Sequence, residues 1–389
     1  MSLLARMDVY FVASCLLSFC YAVLILRLWA AWLSLKKPTT QRPASVPGVT
    51  IILPVRNEEP FITATLDSLL NQDYPRNLFE IIAINDYSTD ETLYRLREYE
   101  QKGVVVLDMK NYLGEAGEKV PNKKKAIALG VKNARFDLLI TTDGDTSRSV
   151  QWLTSLVSGF ISGNYLLATA PVVIRSGWNP LSWFQQLDQL NMTAITGAAI
   201  AMHRPLMCNG ANLIYTRQVF HDVHGFKGNE DVPGGDDYYL MDKVARQFPG
   251  RIGYIRSTDA AVQTEPVTGL IAFLEQRTRW VSKFSGFSFS VPQSILAFSW
   301  FFNLSVIFFV ILAFRDMPLA WLPLVVIFSV KLFFDLLFNM TIQQFFGKWF
   351  LLPLLPAIEI FHVLYIFVIG LSSTGGYYRW KGRTINRAH

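Results

Sequence analysis

Two aspartates flank a glycine in Asp143-Gly144-Asp145, at the end of a short apolar run over 136–142. Carboxylates at that spacing can approach one hard cation, and such a cation can neutralise a diphosphate. Taken alone, the triplet reads equally well as a solvated turn. Asp86 closes a second apolar run within Asn85-Asp86-Tyr87-Ser88-Thr89-Asp90. On its own it would be an ordinary helix-start cluster. Lys123-Lys124-Lys125 opens a helical stretch that feeds the Asp143 strand, so a lysine there can meet a phosphate, or the run can be a merely soluble face. Pro233-Gly234-Gly235-Asp236-Asp237 leads into an apolar period at Leu240, Met241, Val244, Ala245 and Phe248. The glycines permit a close approach, Asp236 reads as a helix cap, and Asp237 in the first turn is then free to act as a general base on a hydroxyl. Without other signals, capping would account for both aspartates. In Gln276-Arg277-Thr278-Arg279-Trp280, the spacing i, i+3, i+4 puts Gln276, Arg279 and Trp280 on one helix face. The rival reading is a Trp/Arg belt at a membrane interface.

These residues need a scaffold. Residues 49–53, 79–84, 104–107 and 136–142 read as strands, and 60–70, 89–101 and 123–133 as helices between them. Pro60 suits a helix start. The alternation predicts an α/β domain with a mostly parallel sheet, whose ligands sit at the carboxyl ends of strands. The polar residues collect there: Arg56-Asn57-Glu58 after the first strand, Asn85-Asp86 after the second, Asp143 to Asp145 after the fourth.

The chain has 389 residues, 51% hydrophobic and only 17% charged. Soluble proteins carry about a quarter charged residues, so disorder, a small disulfide scaffold and a wholly soluble enzyme are all disfavoured. Cys15, Cys20 and Cys208 form no even framework, and neither a disulfide nor a zinc site is expected. Residues 9–26 are long and apolar enough for a membrane anchor, without an A-x-A cleavage site. Arg27, Lys36, Lys37 and Arg42 follow it and Arg6 alone precedes it, which places the middle of the chain in the cytoplasm. A second apolar block divides into segments at 294–314, 318–340 and 350–372, and Arg379, Lys381, Arg383 and Arg387 crowd the tail. That clustering suits a headgroup region or an anionic ligand better than nucleic acid. Three full crossings would put the basic tail outside. We expect instead a cytoplasmic tail, with one C-terminal segment that does not cross fully. The expected organisation is an anchor at 1–35, a linker at 36–48, the α/β domain at 49–263, an interfacial helix at 264–290, membrane segments at 291–373 and a basic tail at 374–389.

In order along the chain, Pro54-Val55-Arg56-Asn57-Glu58, Asn85 to Asp90, Lys125-Ala126, Asp143-Gly144-Asp145, Gly235-Asp236-Asp237 and Gln276 to Trp280 resemble the motifs of family 2 glycosyltransferases. The similarity is greatest to the membrane-anchored branch of ceramide and carotenoid glycosyltransferases and polysaccharide synthases. It covers about residues 49–280, with Trp380-Lys381-Gly382-Arg383 in the tail. The resemblance implies a GT-A fold and inverting transfer from a nucleotide-diphosphate sugar, UDP-linked in most of the family, to a lipid-borne hydroxyl. It implies that Glu58 and Asp86 hold the nucleoside and that Lys125 and Asp143 flank the nucleotide. Asp145 would ligate Mn2+ or Mg2+, and Asp237 would be the base. Asp236, Gln276, Arg279 and Trp280 would lie on the acceptor and diphosphate side. Three departures stand out. Arg56 replaces a common aromatic residue, Asn85-Asp86-Tyr87 replaces Asp-Asp-Gly, and Asp236 replaces Glu. A processive polysaccharide synthase is the next reading, and it would need more membrane segments or oligomerisation. A transporter or flippase is suggested only by Lys331, Asp335, Glu359 and His362 within apolar runs. Lys331 and Asp335 are one turn apart and can pair as structure. No partner nucleic acid is expected, and the oligomeric state is left open.

Overall fold

The computed structural model describes residues 3–36, 46–115, 117, 123–230, 232–282, 291–315, 321–372, 377–380 and 383–386. The chain forms two compact units. One comprises Leu35–Val267 with Tyr377–Ala388, and the other Met1–Ser34 with Thr268–Gly376.

In the first unit, β1 (Val49–Val55) is buried along its whole length, as the central strand of a parallel sheet must be when helices cover both faces. It is followed by α2 (Glu59–Leu70), β2 (Phe79–Asn85), α3 (Thr92–Glu98), β3 (Val104–Asp108), the short α4 (Lys110–Leu113), α5 (Lys123–Asn133) and β4 (Leu138–Thr141). Next come β5 (Thr146–Arg148), α6 (Trp152–Ser162), β6 (Leu167–Thr169), β7 (Val172–Ile174), α7 (Pro180–Ala201), β8 (Leu213–Thr216) and α8 (Arg217–Asp222). The unit closes with α9 (Asp236–Gln247), β9 (Ile252–Tyr254), β10 (Val262–Thr264) and the tail hairpin β11 (Tyr377–Trp380) and β12 (Arg383–Asn386). The main sheet runs β3-β2-β1-β4-β8-β6-β9, and β5-β10-β7 form a smaller one. β1 pairs in parallel with β2 from Val49↔Phe79 and with β4 from Val49↔Leu138. The strand order therefore reverses at β1, and a crevice opens beyond the carboxyl ends of β1 and β4.

The elements expected at 89–101 and 136–142 are shorter than the periodicity suggests. Asp90 Oδ1 accepts from the Thr92 amide at 3.0 Å, so residues 89–91 are spent on capping, and a 3-10 turn over Glu100–Lys102 ends the segment. Phe136 lies outside β4 because its amide is taken by the Thr50 hydroxyl at 3.2 Å.

The second unit holds α1 (Leu3–Ser34), α10 (Leu270–Ser282), α11 (Val291–Arg315), α12 (Trp321–Phe346) and α13 (Leu355–Ser372). Four stretches, Asp8–Ser34, Ser294–Arg315, Trp321–Phe346 and Trp349–Ser372, are long and apolar enough to cross a membrane. On α1, Ser14, Ser18, Tyr21, Ile25, Leu28 and Trp32 are buried at alternating four- and three-residue steps, one seam of a helix bundle. Tyr21 OH donates to Asp335 Oδ1 at 2.6 Å, Trp29 Nε1 donates to Thr341 Oγ1 at 2.9 Å, and Trp32 stands edge-on to Phe345. These contacts run α1 parallel to α12. Tyr10 meets Phe308, and Tyr21 stacks on Phe302 at 4.1 Å, so α11 runs the other way.

α12 runs to Phe346, a few residues beyond the expected 318–340 segment, and Lys331, Asp335, Asn339 and Gln343 form one buried stripe on it at four-residue steps. A polar residue turned inward does not end a membrane helix. Lys331 Nζ donates to Asp335 Oδ2 at 2.6 Å and to Glu359 Oε2, with the His362 ring beside Glu359. The final segment begins as a 3-10 turn, Trp349–Leu354, with Pro353 inside it, and only then becomes α-helix.

Candidate active site

The loops after β1 and β2 are tied together. Glu58 is buried at the start of α2, and its amide donates to Thr92 Oγ1 at 2.8 Å. Asn57 sits at φ 49°, and its side-chain oxygen accepts from the Thr89 amide at 2.8 Å. Asp86 is buried, with its amide on Val55 O at 2.8 Å. Arg56 is buried too, and its Nη1 donates to the carbonyls of Asp86 and Tyr87 at 2.8 and 2.6 Å. The departure at Arg56 is therefore a brace for the neighbouring loop rather than a stacking platform.

The Asp143 loop is seated on the same helix. Thr65 of α2 donates its one hydroxyl proton toward the carbonyls of Gly144 and Thr146, at 2.8 and 2.9 Å. Gly144 has no room for a side chain, since an added Cβ would lie 2.9 Å from Glu58 Cγ and 2.8 Å from Val55 Cγ1. Glycine between the two aspartates is what lets Glu58 press against their loop. Asp143 and Asp145 are both half-buried.

At α9 the expected cap is absent. Gly235, at φ 68°, occupies the N-cap without a side-chain bond, and Asp236 is the first helical residue. Its carboxylate turns instead to Lys123. The Lys123 ammonium bridges Asp143 Oδ1 at 2.9 Å and Asp236 Oδ2 at 3.3 Å. Burial alone would depress this lysine, but Asp143 and Asp236 outweigh it and hold the group well above its ordinary value. Asp237 is buried; its Oδ2 accepts from the Gly210 amide at 3.2 Å and its Oδ1 from the Tyr238 amide at 2.8 Å. Two amide donors and the first turn of a helix both favour the charged carboxylate.

Glu58, Asp143, Asp236 and Asp237 thus fall within one chain of contacts, and Asp86 joins it through the Arg56 brace. Lys125 lines a cavity of about 500 Å³ with Lys124, Phe220, His224, Phe226 and Lys227. Lys124 is spent on the carbonyls of Asn229 and Val232 at 2.6 and 2.7 Å. The lysine at the aspartates is the first of the three, and the run itself was the only sequence signal for it. Arg148 was not singled out by sequence. Its Nη2 donates to Thr146 O at 3.1 Å and Thr146 Oγ1 at 2.5 Å, beneath the Asp143 loop. Burial lowers its guanidinium to about 9, against the pull of Asp143, so it stays charged at neutral pH.

Gln276, Arg279 and Trp280 lie half-buried on α10 of the helical unit. The intervening Arg277 is the buried one, 2% exposed, with its guanidinium 4.0 Å from the Trp280 ring and 4.9 Å from that of Phe273. Of the tail tetrapeptide, Lys381 and Gly382 lie outside the described residues.

Among the described residues, no group of three or more His, Cys, Asp or Glu side chains forms a ready metal cage. The donors at the strand ends are nonetheless carboxylates, and an ammonium already stands between two of them, so a hard divalent cation suits the set.

Comparison with known proteins bears on the same residues. The chain is 25% identical over 307 residues to the probable glycosyltransferase YdaM of Bacillus subtilis, covering 75% of this chain and 68% of that protein. It is 34% identical over 94 residues to the poly(ribitol-phosphate) beta-N-acetylglucosaminyltransferase TarS of Staphylococcus aureus, a stretch that spans 24% of this chain and only 16% of that protein. A 4,4'-diaponeurosporenoate glycosyltransferase of Staphylococcus aureus is 35% identical over 100 residues, 26% of this chain and 24% of that protein. The mannosyltransferase PcManGT from Pyrobaculum calidifontis, solved with GDP-Man and Mn2+, superposes with a TM-score of 0.57 at 17% identity, covering 94% of this chain and 98% of that one. Such a likeness speaks to fold. The profile of glycosyl transferase family 2 matches residues 50–223, and that of glycosyl transferase family group 2 matches residues 138–369, more than half of the chain. The protein belongs to the family 2 glycosyltransferases and has their GT-A fold.

Proposed function

We propose that the protein transfers one sugar, with inversion, from a nucleotide-diphosphate sugar to a lipid-borne hydroxyl at the cytoplasmic membrane face. The observation that carries this is the convergence of the Asp143 loop, Glu58 and Asp237 beyond the carboxyl ends of β1 and β4. Glu58 and Asp86 hold the nucleoside, Asp86 by bonding to the base, which UDP would supply as uracil. Asp237 accepts the acceptor's hydroxyl proton as the oxygen attacks the anomeric carbon. The bond from that carbon to the diphosphate oxygen breaks, and the nucleoside diphosphate leaves. Asp145, beside Asp143, would hold Mn2+ or Mg2+, which would supply the charge neutralisation that this leaving group needs. Lys123 takes the phosphate-facing part that the motif pattern gave to Lys125. The motif pattern gives Gln276, Arg279 and Trp280 the acceptor and diphosphate side. The names of relatives support a lipid or polymer acceptor: one is named for a carotenoid acid and one for a dolichyl phosphate sugar, while TarS is named for a polymer.

The test is a donor panel given to the purified full-length protein with Mn2+ or Mg2+, followed by membrane lipid extract. One donor should be consumed faster with lipid present, and a singly glycosylated lipid should form. A ladder of long products would assign a processive synthase instead, and no donor turnover under any condition would end the reading.

A further inference from the structure

We propose that Lys123 is a resident counter-ion, which holds Asp143 and Asp236 together until a divalent cation displaces it. This rests on the reading that Asp143 and Asp145 receive that cation. The ammonium lies 2.9 Å from Asp143 Oδ1 and 3.3 Å from Asp236 Oδ2, and both carboxylates belong to motifs on different elements. The bridge is closely built. An added Cβ at Gly210 would stand 3.0 Å from Asp236 Oδ2 and 3.5 Å from Lys123 Nζ, so the glycine leaves room for the pair and little more. Lys123 is the cation that spans the two motifs, because Arg148 is turned to Thr142 and Thr146 and Lys124 to backbone carbonyls. Without it, Asp143, Asp145, Asp236 and Asp237 would repel one another across a half-buried crevice.

An ammonium and a divalent cation repel each other strongly when both are placed against one carboxylate. Metal entry therefore works against Lys123. A bound diphosphate reverses that penalty, because it offers the displaced ammonium new anionic oxygens. Metal and nucleotide should then bind cooperatively, each favouring the other by the same factor. Lys123 would add to the coupling that the direct attraction of metal to diphosphate already supplies.

The experiment measures free Mn2+ by paramagnetic resonance over purified full-length protein, with and without UDP. In the wild type, UDP should tighten Mn2+ binding by about tenfold, within the usual span of coupling between sites. Lys123→Gln should bind Mn2+ alone about fivefold more tightly than wild type and show a UDP effect smaller by the same factor, because the direct attraction of metal to diphosphate remains. Lys123→Arg keeps the charge and should stay as weak as wild type, and Lys132→Gln, exposed on the same helix, should change nothing. Equal Mn2+ affinity in wild type and Lys123→Gln overturns the counter-ion proposal while leaving the metal site standing. A tighter Lys123→Arg would trace the gain to loosened packing and overturn it as well. No Mn2+ binding to any of them, even with UDP, removes the metal reading and this proposal together. Should Lys123→Gln not fold, Lys123→Met decides by the same comparison of Mn2+ affinity without UDP.

Discussion

Asp145 and Asp237 occupy one crevice but differ in what their loss should do. Asp145→Asn exchanges a carboxylate for an amide, a far weaker ligand for a hard cation. Metal-dependent donor turnover should drop by about a hundredfold or more. Steady-state assays with and without chelator check this, and full, chelator-insensitive activity in the variant would detach Asp145 from the metal. Asp237→Asn removes a proton acceptor while keeping the shape that the Gly210 amide recognises. Transfer should fall by about 10²–10⁴-fold with UDP affinity nearly unchanged. Calorimetry with UDP beside a transfer assay separates the two effects. If both collapse together, Asp237 is holding the Gly210 backbone in place rather than taking a proton. At this scale the sequence was informative through the order of several motifs at strand ends, since each glycine-and-acid cluster taken alone reads equally well as a turn or a cap. It could not choose among Lys123, Lys124 and Lys125. Successive helical residues point about 100° apart, and nothing in three identical side chains says which faces the aspartates. Arg56 misled for a related reason: a missing aromatic reads as a loss until its carbonyl partners are known.

α12 shows how an element can contradict its own hydropathy. Lys331, Asp335, Asn339 and Gln343 would each weaken a plain membrane span, yet all four are buried in the bundle. Their spacing could be read from the sequence, but the partners that make it tolerable, Tyr21 on α1 and Glu359 on α13, lie far away along the chain. Lys331→Met would leave Asp335 and Glu359 without their cation. Breaking a buried ion pair from one side costs about 3–5 kcal/mol. The detergent-solubilised variant should melt at a clearly lower temperature than wild type, and adding Asp335→Asn and Glu359→Gln should recover most of the loss. An unchanged melting temperature for Lys331→Met would mean that the cluster contributes nothing to holding α1, α12 and α13 together.

For the molecule as a whole, the βαβ alternation, the parallel sheet and the helical flanks were legible from periodicity, because a doubly covered strand and a membrane helix leave strong apolar signatures. Topology was not, since segment counting and charge disagreed. The chain leaves the α/β unit after Val267, and the tail hairpin from Tyr377 belongs to that unit again. Phe302, Tyr21 and Asp335 share one level of the bundle. Lys331, one turn from Asp335, reaches Glu359, while Gly370 lies so close to Trp300 that a Cβ would stand 2.0 Å from its ring nitrogen. The basic tail still argues for the cytoplasmic side, with one C-terminal segment that does not cross fully. A cysteine at Ala388, in a variant lacking the native cysteines, should resist a membrane-impermeant thiol reagent in intact cells and react once the cells are opened. Prompt labelling in intact cells would restore three crossings.

The Lys331 cluster also bears on how the protein is made. α1 is synthesised some three hundred residues before α12, and α13 only after it. A lysine and an aspartate at the centre of a lone helix each cost about 2.5–3.5 kcal/mol on insertion, and Tyr21 and Glu359 are the groups that relieve that cost. α12 is therefore a poor substrate for insertion by itself. It must either wait at the translocon for α13 or enter the bilayer against an α1 already parked there. Until Glu359 arrives, Lys331 has only Asp335 of its own helix to answer it, and a nascent chain released before Glu359 would carry that incomplete cluster into lipid, the kind of flaw by which membrane quality control recognises an unfinished protein.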